Sequence, residues 1–338
     1  MGNQKVREKK KPTFFLAVLP ILAMILLLGV GYAVMGLSPE VLMLVSAAVA
    51  AVIAIALGYT WDDIMDSIVG KLSKTMPAIF ILIIVGFLIG SWMIGGTIPM
   101  MVYYGLKIIS PRYIAVTSFL VTAVVSVCTG TSWGSAGTIG VALMGVAAGM
   151  GAPLPMVAGA VVSGAYFGDK MSPLSDSTNM SAIASGTNLY KHIGHMFYTT
   201  IPGFVISCVV YVIAGISFAG SGEISQVDSI ITTLAELFDL SMPVGLLLLV
   251  PPVIVVAGSL LKKPTIPVMM ISSAVAVVIA MTVQDFSFQT CATSMVSGFK
   301  MEMFTDPSLN LAGIVQEVPN LLQRGGMASM MNTALIAF

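Results

Sequence analysis

Charged side chains are scarce in this sequence. Only 9% of its 338 residues are Asp, Glu, Lys or Arg, whereas 57% are hydrophobic, and a soluble domain usually carries about 25% charged residues. The formal net charge is zero and no basic stripe is present, so nucleic acid is excluded as a partner. The composition therefore predicts an integral membrane protein, with the lipid bilayer as its main partner.

Cysteine and histidine are also rare. The three cysteines, Cys128, Cys208 and Cys291, lie far apart in apolar segments, without the spacing of a metal site or a disulfide framework. We interpret them as buried thiols. His192 and His195 are three residues apart, and we interpret them as a pair at the membrane edge because no third metal ligand lies near. No cofactor is expected.

Long apolar runs predict an all-α polytopic membrane protein with about nine or ten transmembrane segments. A basic tail at residues 1–12 is expected in the cytoplasm by the positive-inside rule, and a first membrane half follows at 13–219. An external linker at 220–240 contains four acidic residues but neither Lys nor Arg. Its apolar residues recur at helical spacing, which predicts an interfacial helix. Residues 241–338 form an incomplete second membrane half.

A short internal repeat supports this division. The stretch at 49–54 matches that at 275–280, and the two copies run in opposite directions in the predicted topology. Partial inverted repeats of this kind, with broken helices, are how many secondary transporters are built. No second Gly/Ser/Thr break or acidic motif is recognisable after the second copy, so we expect a chain that is truncated within its second half.

A polar, glycine-rich run at 129–138 interrupts the apolar sequence between 112 and 150. The flanking apolar lengths, about 17 and 14 residues, are marginal for complete crossings. The segment is therefore either two short spans or one re-entrant hairpin with the run at its tip, where protein or water must surround the irregular backbone. An ordinary turn with Gly at the bend is the simpler alternative. The candidate site residues of this run are Thr129, Thr131, Ser132 and Ser135.

The stretch at 168–179 is the most unusual in the chain. Asp169 and Asp176 are the only acidic residues between positions 66 and 223, and isolated acids among apolar segments mark an ion or proton pathway by default. If the stretch is helical, Pro173 cannot donate to the carbonyl of Asp169, and the freed oxygen would join an oxygen-rich cage that suits a hard cation. A solvated loop around the Ser-Pro turn is the alternative.

The two runs at 129–138 and 164–179 together resemble the NhaC family of sodium/proton antiporters, and the resemblance extends over essentially the whole chain. It implies a secondary transporter of the wider ion-transporter superfamily, in the cell membrane, that exchanges external protons for internal sodium; a homodimer is compatible with it. Superfamily relatives bind sodium at Ser/Asn/Thr motifs beside helix breaks, which implies such a motif at 176–179. Some family members instead exchange organic anions such as malate and lactate.

We predict that sodium and protons share one carboxylate. Removal from water disfavours the ionised form of a carboxyl group, so protonation releases sodium and ionisation binds it again. Asp176 is favoured for this role, with sodium bound at Asp176, Ser177 and Asn179, whereas Asp169 and its neighbour Lys170 are assigned to a charge pair or gate. The neutral oxygens are expected from Ser172, Ser175, Ser177, Thr178 and Asn179, with Thr129, Thr131, Ser132 and Ser135 approaching from the facing break.

Two other functions compete with antiport. A sodium- or proton-coupled carrier of small organic anions or amino acids needs a donor-rich pocket, which half-helix N-termini near 131–135 would supply. An intramembrane aspartyl protease needs Tyr-Asp and Gly-x-Gly-Asp motifs, but no Tyr-Asp occurs and the sequence before Asp169 lacks the first glycine. A serine protease needs a histidine deep in a span, and both histidines lie at a basic edge. The sequence therefore predicts a transporter and no enzyme.

Overall fold

The computed structural model describes residues 10–32, 34–173, 175–218, 224–261, 263–304 and 325–331, and no β-strand occurs in these ranges. Five helices among them are long and apolar enough to cross a membrane, and the number is six if a bent helix pair is counted as one broken span. This confirms an all-α polytopic membrane protein. The predicted total of nine or ten segments also counted shorter apolar stretches and stays a prediction. The five long candidates are Phe14–Tyr32, Pro39–Ala56, Pro111–Thr129, Leu189–Ser217 and Thr265–Thr282.

The described residues form a series of α-helices joined by short loops. Many of these helices are shorter than the roughly 20 residues of a membrane crossing, in agreement with the predicted broken helices. In chain order they are α1 (Phe14–Leu26), α2 (Pro39–Ala56), α3 (Trp61–Ile94), α4 (Thr97–Ile108), α5 (Ile114–Thr129), α6 (Ser132–Ser135), α7 (Val141–Gly149), α8 (Leu154–Met171), α9 (Asp176–Ala184), α10 (Leu189–Phe218), α11 (Ile224–Leu237), α12 (Met242–Leu248), α13 (Val250–Leu260), α14 (Thr265–Thr282) and α15 (Phe288–Ser297), with π-helical segments at Leu27–Tyr32 and Ala136–Gly140 and 3₁₀ turns at Pro111–Tyr113 and Met301–Met303.

The chain divides into two compact units, residues 1–80 with 331–338 and residues 81–330. In the first unit α1 and α2 pack together, and Gly31 permits their approach because a Cβ there would lie 2.7 Å from Leu42 Cδ2. α3 starts with a capping box: the Thr60 amide donates to the Asp63 carboxylate at 2.9 Å, and the Asp63 amide donates to the Thr60 hydroxyl at 3.2 Å. The candidate site lies in the second unit.

The end of α3 meets α4 at a sharp bend within the second unit. The two axes differ by 71° across Gly95 and Gly96, and Gly96 has a φ of 82°, in the left-handed region that glycine adopts without strain. Just before the bend, the Trp92 indole donates to Ser272 Oγ at 3.1 Å, and Ser272 donates to the Pro251 carbonyl at 2.8 Å. This chain of hydrogen bonds holds α3, α14 and α13 together.

α5 and α8 lie side by side and run in the same direction. A Cβ at Gly164 would press on the carbonyl of Phe119 and lie 3.1 Å from the amide nitrogen of Ala123. One turn later, a Cβ at Gly168 would lie 2.5 Å from Ser126 Cβ, so the contacts advance along both helices together. Small residues four positions apart allow membrane helices to approach this closely. The glycines of α8 therefore set the packing that positions the site.

The predicted helix in the linker is present as α11. Its apolar residues Ile230, Leu234 and Leu237 are buried within the protein core. They pack against protein, whereas the sequence placed this face in the membrane interface. The helix is thus confirmed, while the interfacial and external location of residues 220–240 stays a prediction.

α15 ends in glycine-containing backbone that packs against α3. This helix ends at Gly298, whose φ is 89°, and Ser294 near its end donates to the carbonyl of Gly90 at 2.8 Å. The amide of Gly326 donates to the carbonyl of Gly86 at 2.9 Å. Gly298 and Gly326 also lie against each other, and the expectation that the second half contains no second Gly/Ser/Thr break stays a prediction.

The cysteines differ in their surroundings. Cys291 is buried, as predicted for all three thiols, whereas Cys208 is intermediate and Cys128 is exposed. The prediction is wrong for Cys128 because α5 ends one residue later. This thiol therefore lies beside a helix break and not in the middle of a packed span.

Candidate ion-binding site

Two parallel helices end at the same level in the second unit. α5 is followed by Gly130, which has a φ of 68°, and α8 is followed by Ser172, whose backbone is extended. The Ser172 hydroxyl donates to the carbonyl of Val127 in the last turn of α5 at 2.7 Å, which fixes the two ends beside each other. The C-terminal end of a helix carries partial negative charge. Two such ends together form an environment that attracts a cation.

The first break, at Gly130 and Thr131, is held by its own hydroxyl groups. The amide of Gly134 donates to Thr131 Oγ1 at 3.2 Å, which caps the short helix α6. Ser135 donates to the carbonyl of Thr131 at 2.8 Å, and Thr129 and Ser135 share a hydrogen bond of 3.0 Å. Helical backbone resumes at Ser132, so the polar run interrupts the helices only briefly, and the choice among two short spans, a re-entrant hairpin and an ordinary turn stays a prediction.

The second break is closed by side chains from the start of α9. Thr178 Oγ1 donates to the carbonyls of Asp169 at 3.2 Å and Lys170 at 3.0 Å. Asn179 Nδ2 donates to the carbonyls of Pro173 at 2.9 Å and Ser175 at 2.8 Å. Both side chains thus stabilise the break by satisfying carbonyls at the end of α8 and in the loop that follows it.

The expectation of a freed carbonyl at Asp169 is wrong. That oxygen accepts the Ser172 amide at 3.2 Å as well as the Thr178 hydroxyl. Pro173 does lack an amide donor, but donors from two other positions replace it. The oxygen-rich cage must therefore be built from side chains and not from this carbonyl.

A side-chain hydrogen bond to Asp169 also connects the two breaks. Ser132, the first residue of α6, donates to Asp169 Oδ2 at 3.2 Å. The Asp169 side chain is half-buried, whereas that of Lys170 is exposed. A carboxylate, a hydroxyl and two helix C-termini therefore meet at one point.

This point lies on the wall of a cavity of about 1310 Å³. Much of the wall was predicted from the sequence, because it contains residues from both breaks. Ser135, Ser172 and Thr178 are buried and do not line the cavity. The side chain of Asp176 lies outside the described residues, so the preference for it stays a prediction. The predicted site residues on the wall are Thr129, Thr131, Ser132, Asp169, Lys170, Ser175, Ser177 and Asn179.

The opposite wall was missed from the sequence. α10 contributes polar and aromatic residues, and the loop before α14 contributes Lys263. The only local signal on α10 was Pro202, which lies inside the helix just after two threonines. Lys263 was not predicted, because its position on the cavity wall depends on contacts between distant parts of the chain. The cavity-lining residues of α10 are Leu189, Tyr190, Thr199, Thr200, Gly203, Phe204 and Ser207.

Comparisons with known proteins agree with this architecture. Residues 164–338 match the model of the Na+/H+ antiporter family. The chain is 50% identical over 331 residues to an uncharacterized Na+/H+ antiporter of Haemophilus influenzae, covering 97% of the chain and 69% of the relative. It is 35% identical over 324 residues to the Na+/H+ antiporter NhaC of Alkalihalophilus pseudofirmus, covering 96% and 67%. It is 33% identical over 333 residues to the malate-2H+/Na+-lactate antiporter of Bacillus subtilis, covering 98% and 68%. No solved structure matches the chain.

Proposed function

Because the chain belongs to the Na+/H+ antiporter family, we propose that it exchanges sodium for protons at Asp169, where its two helix breaks meet. The observation that carries this assignment is the hydrogen bond from Ser132 to Asp169 at the cavity wall. Asp169 takes the place of Asp176 as the preferred carboxylate because its described side chain reaches the facing break. Cytoplasmic placement of the N-terminus and association of two copies remain predictions from the sequence.

The chemistry of exchange follows from the charge at this point. When Asp169 is ionised, its carboxylate and the C-terminal ends of α5 and α8 attract a cation. Hydroxyl oxygens on the same wall, from Thr131 and Ser132, are the neutral ligands that hard cations accept. A proton on Asp169 cancels the largest of these charges, so sodium leaves. One carboxylate then carries either ion, and no separate coupling device is needed.

We expect Ser132→Ala to weaken sodium binding without abolishing exchange. The variant loses one hydroxyl beside the carboxylate, which costs roughly 1.4 kcal/mol, or about tenfold in the KM for sodium. The assay adds sodium outside vesicles that contain the intact protein and follows the internal pH with a dye. Ser185→Ala is the matched control, because Ser185 is exposed and donates only to the carbonyls of its own helix. An unchanged KM in Ser132→Ala would argue against Ser132 as a ligand.

A second function is favoured by the size and charge of the cavity. Its volume of about 1310 Å³ is far larger than one dehydrated ion requires, and pockets of about 300–1,000 Å³ hold organic ligands. Two ammonium groups, Lys170 and Lys263, line it together with Asp169. This combination suits a carboxylate-bearing solute that moves with the coupling ion. The relative from Bacillus subtilis is named for malate and lactate exchange, which agrees with this candidate.

The same vesicles distinguish the two candidates. If the second is correct, sodium alone produces no proton movement, and movement begins when malate, lactate or an amino acid is added. We then expect Lys263→Gln to raise the KM for that solute about tenfold, because a charge-assisted hydrogen bond is lost. The exposed Lys71 provides the control variant Lys71→Gln. A full response to sodium alone, with none to added solutes, would rule out the second candidate.

A further inference from the structure

The cavity has two different ends, and α10 connects them. α10 runs antiparallel to α5 and α8. Phe204 packs on Phe119 of α5, with ring centroids 4.9 Å apart. Further along α10, a Cβ at Gly215 would press on the carbonyl of Arg112, which lies before the start of α5. From Tyr190 to Phe204 the helix rises by about 21 Å. The cavity therefore extends along α10 from one end of the helix towards its middle.

The end of the cavity near the start of α10 is open. Tyr190 is 71% exposed there, and the cavity-lining side chains of Lys170, Ser177 and Lys263 are also exposed. Asp169 is adjacent in sequence to Lys170 and is only half-buried. Asp169 therefore shares one cavity with the exposed side chains at this end.

Aromatic side chains line the other end of the cavity, towards the middle of α10. We call Phe119, Phe167, Phe204 and Tyr211 the aromatic plug. The rings of Phe167 and Phe204 are 4.2 Å apart, and those of Phe119 and Tyr211 are 5.4 Å apart. The first three line the cavity, and beyond them the Tyr211 hydroxyl shares a hydrogen bond of 3.0 Å with Ser163. The plug thus joins α5, α8 and α10 in one layer.

The backbone hydrogen bonding of α10 is interrupted immediately before Phe204. Pro202 lies inside the helix and has no amide to donate to the carbonyl four residues earlier. Gly203 follows, and a Cβ there would meet no atom within 4 Å. A proline and an uncrowded glycine are where a helix bends most readily. A bend at this point would carry Phe204 away from Phe119 and Phe167.

We propose that the aromatic plug is the gate on the far side of the Asp169 site, and that α10 opens it by bending at Pro202 and Gly203. The inference rests on the proposed exchange at Asp169, because a carrier must expose one site to the two sides in turn. With the plug closed, an ion on Asp169 communicates only with the open end. Phe204 is the moving part, since it contacts the plug residues of both neighbouring helices.

The first test removes the ring that moves. We expect Phe204→Ala to leave a continuous path, so that sodium flows down its gradient without proton movement, at least tenfold faster than through the unaltered protein. The measurement is the ratio of protons to sodium ions moved in vesicles at equal internal and external pH. Phe197→Ala is the control, because Phe197 is on the same helix but is 50% exposed. Tight coupling in Phe204→Ala, with no sodium leak, would overturn the proposal.

Two further variants keep the test informative if Phe204→Ala does not fold. Tyr211→Phe removes only the hydroxyl bonded to Ser163, and we expect a smaller leak of the same kind. Pro202→Ala restores the helical hydrogen bond, and we expect turnover to fall about tenfold with an unchanged KM for sodium. Normal coupling in Tyr211→Phe together with normal turnover in Pro202→Ala would contradict the proposed gate. Failure of the gate and failure of the proposed function can be told apart. If Asp169 is not the shared site, the Asp169→Asn variant retains exchange. The sodium leak expected in Phe204→Ala does not depend on that result.

Discussion

Asp169→Asn abolishes sodium-dependent proton movement if Asp169 is the shared carboxylate. The amide cannot be ionised, so it neither attracts sodium as a charged ligand nor carries a proton. Loss of one charge-assisted contact costs up to about 3 kcal/mol, or up to roughly 160-fold in sodium affinity, and the amide carries no proton to exchange for the sodium that still binds. The Ser132 hydroxyl can still donate to the amide oxygen, which keeps the helix breaks together. The measurement is the sodium-triggered pH change in vesicles, normalised to the amount of protein inserted.

Two carboxylates serve as comparisons for this variant. Asp66→Asn is the matched control, because Asp66 is exposed on α3 in the first unit, and we expect normal exchange. Asp176→Asn tests the preference drawn from the sequence. Full exchange in Asp169→Asn together with loss of exchange in Asp176→Asn would show that the sequence-based choice was correct and that Asp169 has another role.

The second prediction with a large expected effect concerns the packing of α8 against α5. We expect Gly168→Ala to force α5 and α8 apart, because the added methyl group would lie 2.6 Å from the amide nitrogen of Val127 and closer still to the carbonyl of Ala123. Both are backbone atoms, which cannot turn aside. Overpacking of this kind costs about 3 kcal/mol or more. The variant should show a lower free energy of unfolding in detergent and lose exchange.

Gly159 provides the control on the same helix. It is exposed, and the nearest atom to a Cβ there, the Tyr211 hydroxyl, lies at 3.8 Å. Because Ala favours helix formation over Gly by up to about 1 kcal/mol, we expect Gly159→Ala to be neutral or slightly stabilising. Equal stability of Gly168→Ala and Gly159→Ala would contradict the close parallel packing of α5 and α8.

Composition and isolated polar residues predicted the class of protein and the location of both breaks. Removing a carboxylate or a glycine-rich run from water is costly wherever it occurs in a membrane protein. Asp169 and Thr131 could therefore be identified without knowledge of their partners. The same reasoning located Ser132, although not its bond to Asp169.

The roles of individual oxygens could not be predicted, because they depend on where the chain folds back. Thr178 and Asn179 were expected to bind sodium, which stays a prediction; that their donor groups bond to backbone carbonyls of the break could not be predicted. The carbonyl of Asp169 was expected to be free, but it accepts the amide of Ser172 at the end of α8 and the hydroxyl of Thr178 from the next helix. Lys263 reaches the cavity from a loop almost a hundred residues away, and no local pattern encodes that contact.

The central claim is that sodium and a proton occupy Asp169 in turn. It is tested most directly by titrating sodium into the purified protein at a series of pH values and measuring the apparent Kd together with proton release. The account predicts that the Kd for sodium rises as the pH is lowered, because the protonated carboxylate is neutral, and that sodium binding releases protons. Asp169→Asn should show neither effect. A sodium affinity that is the same at every pH, with no proton released, would contradict exchange at a shared carboxylate.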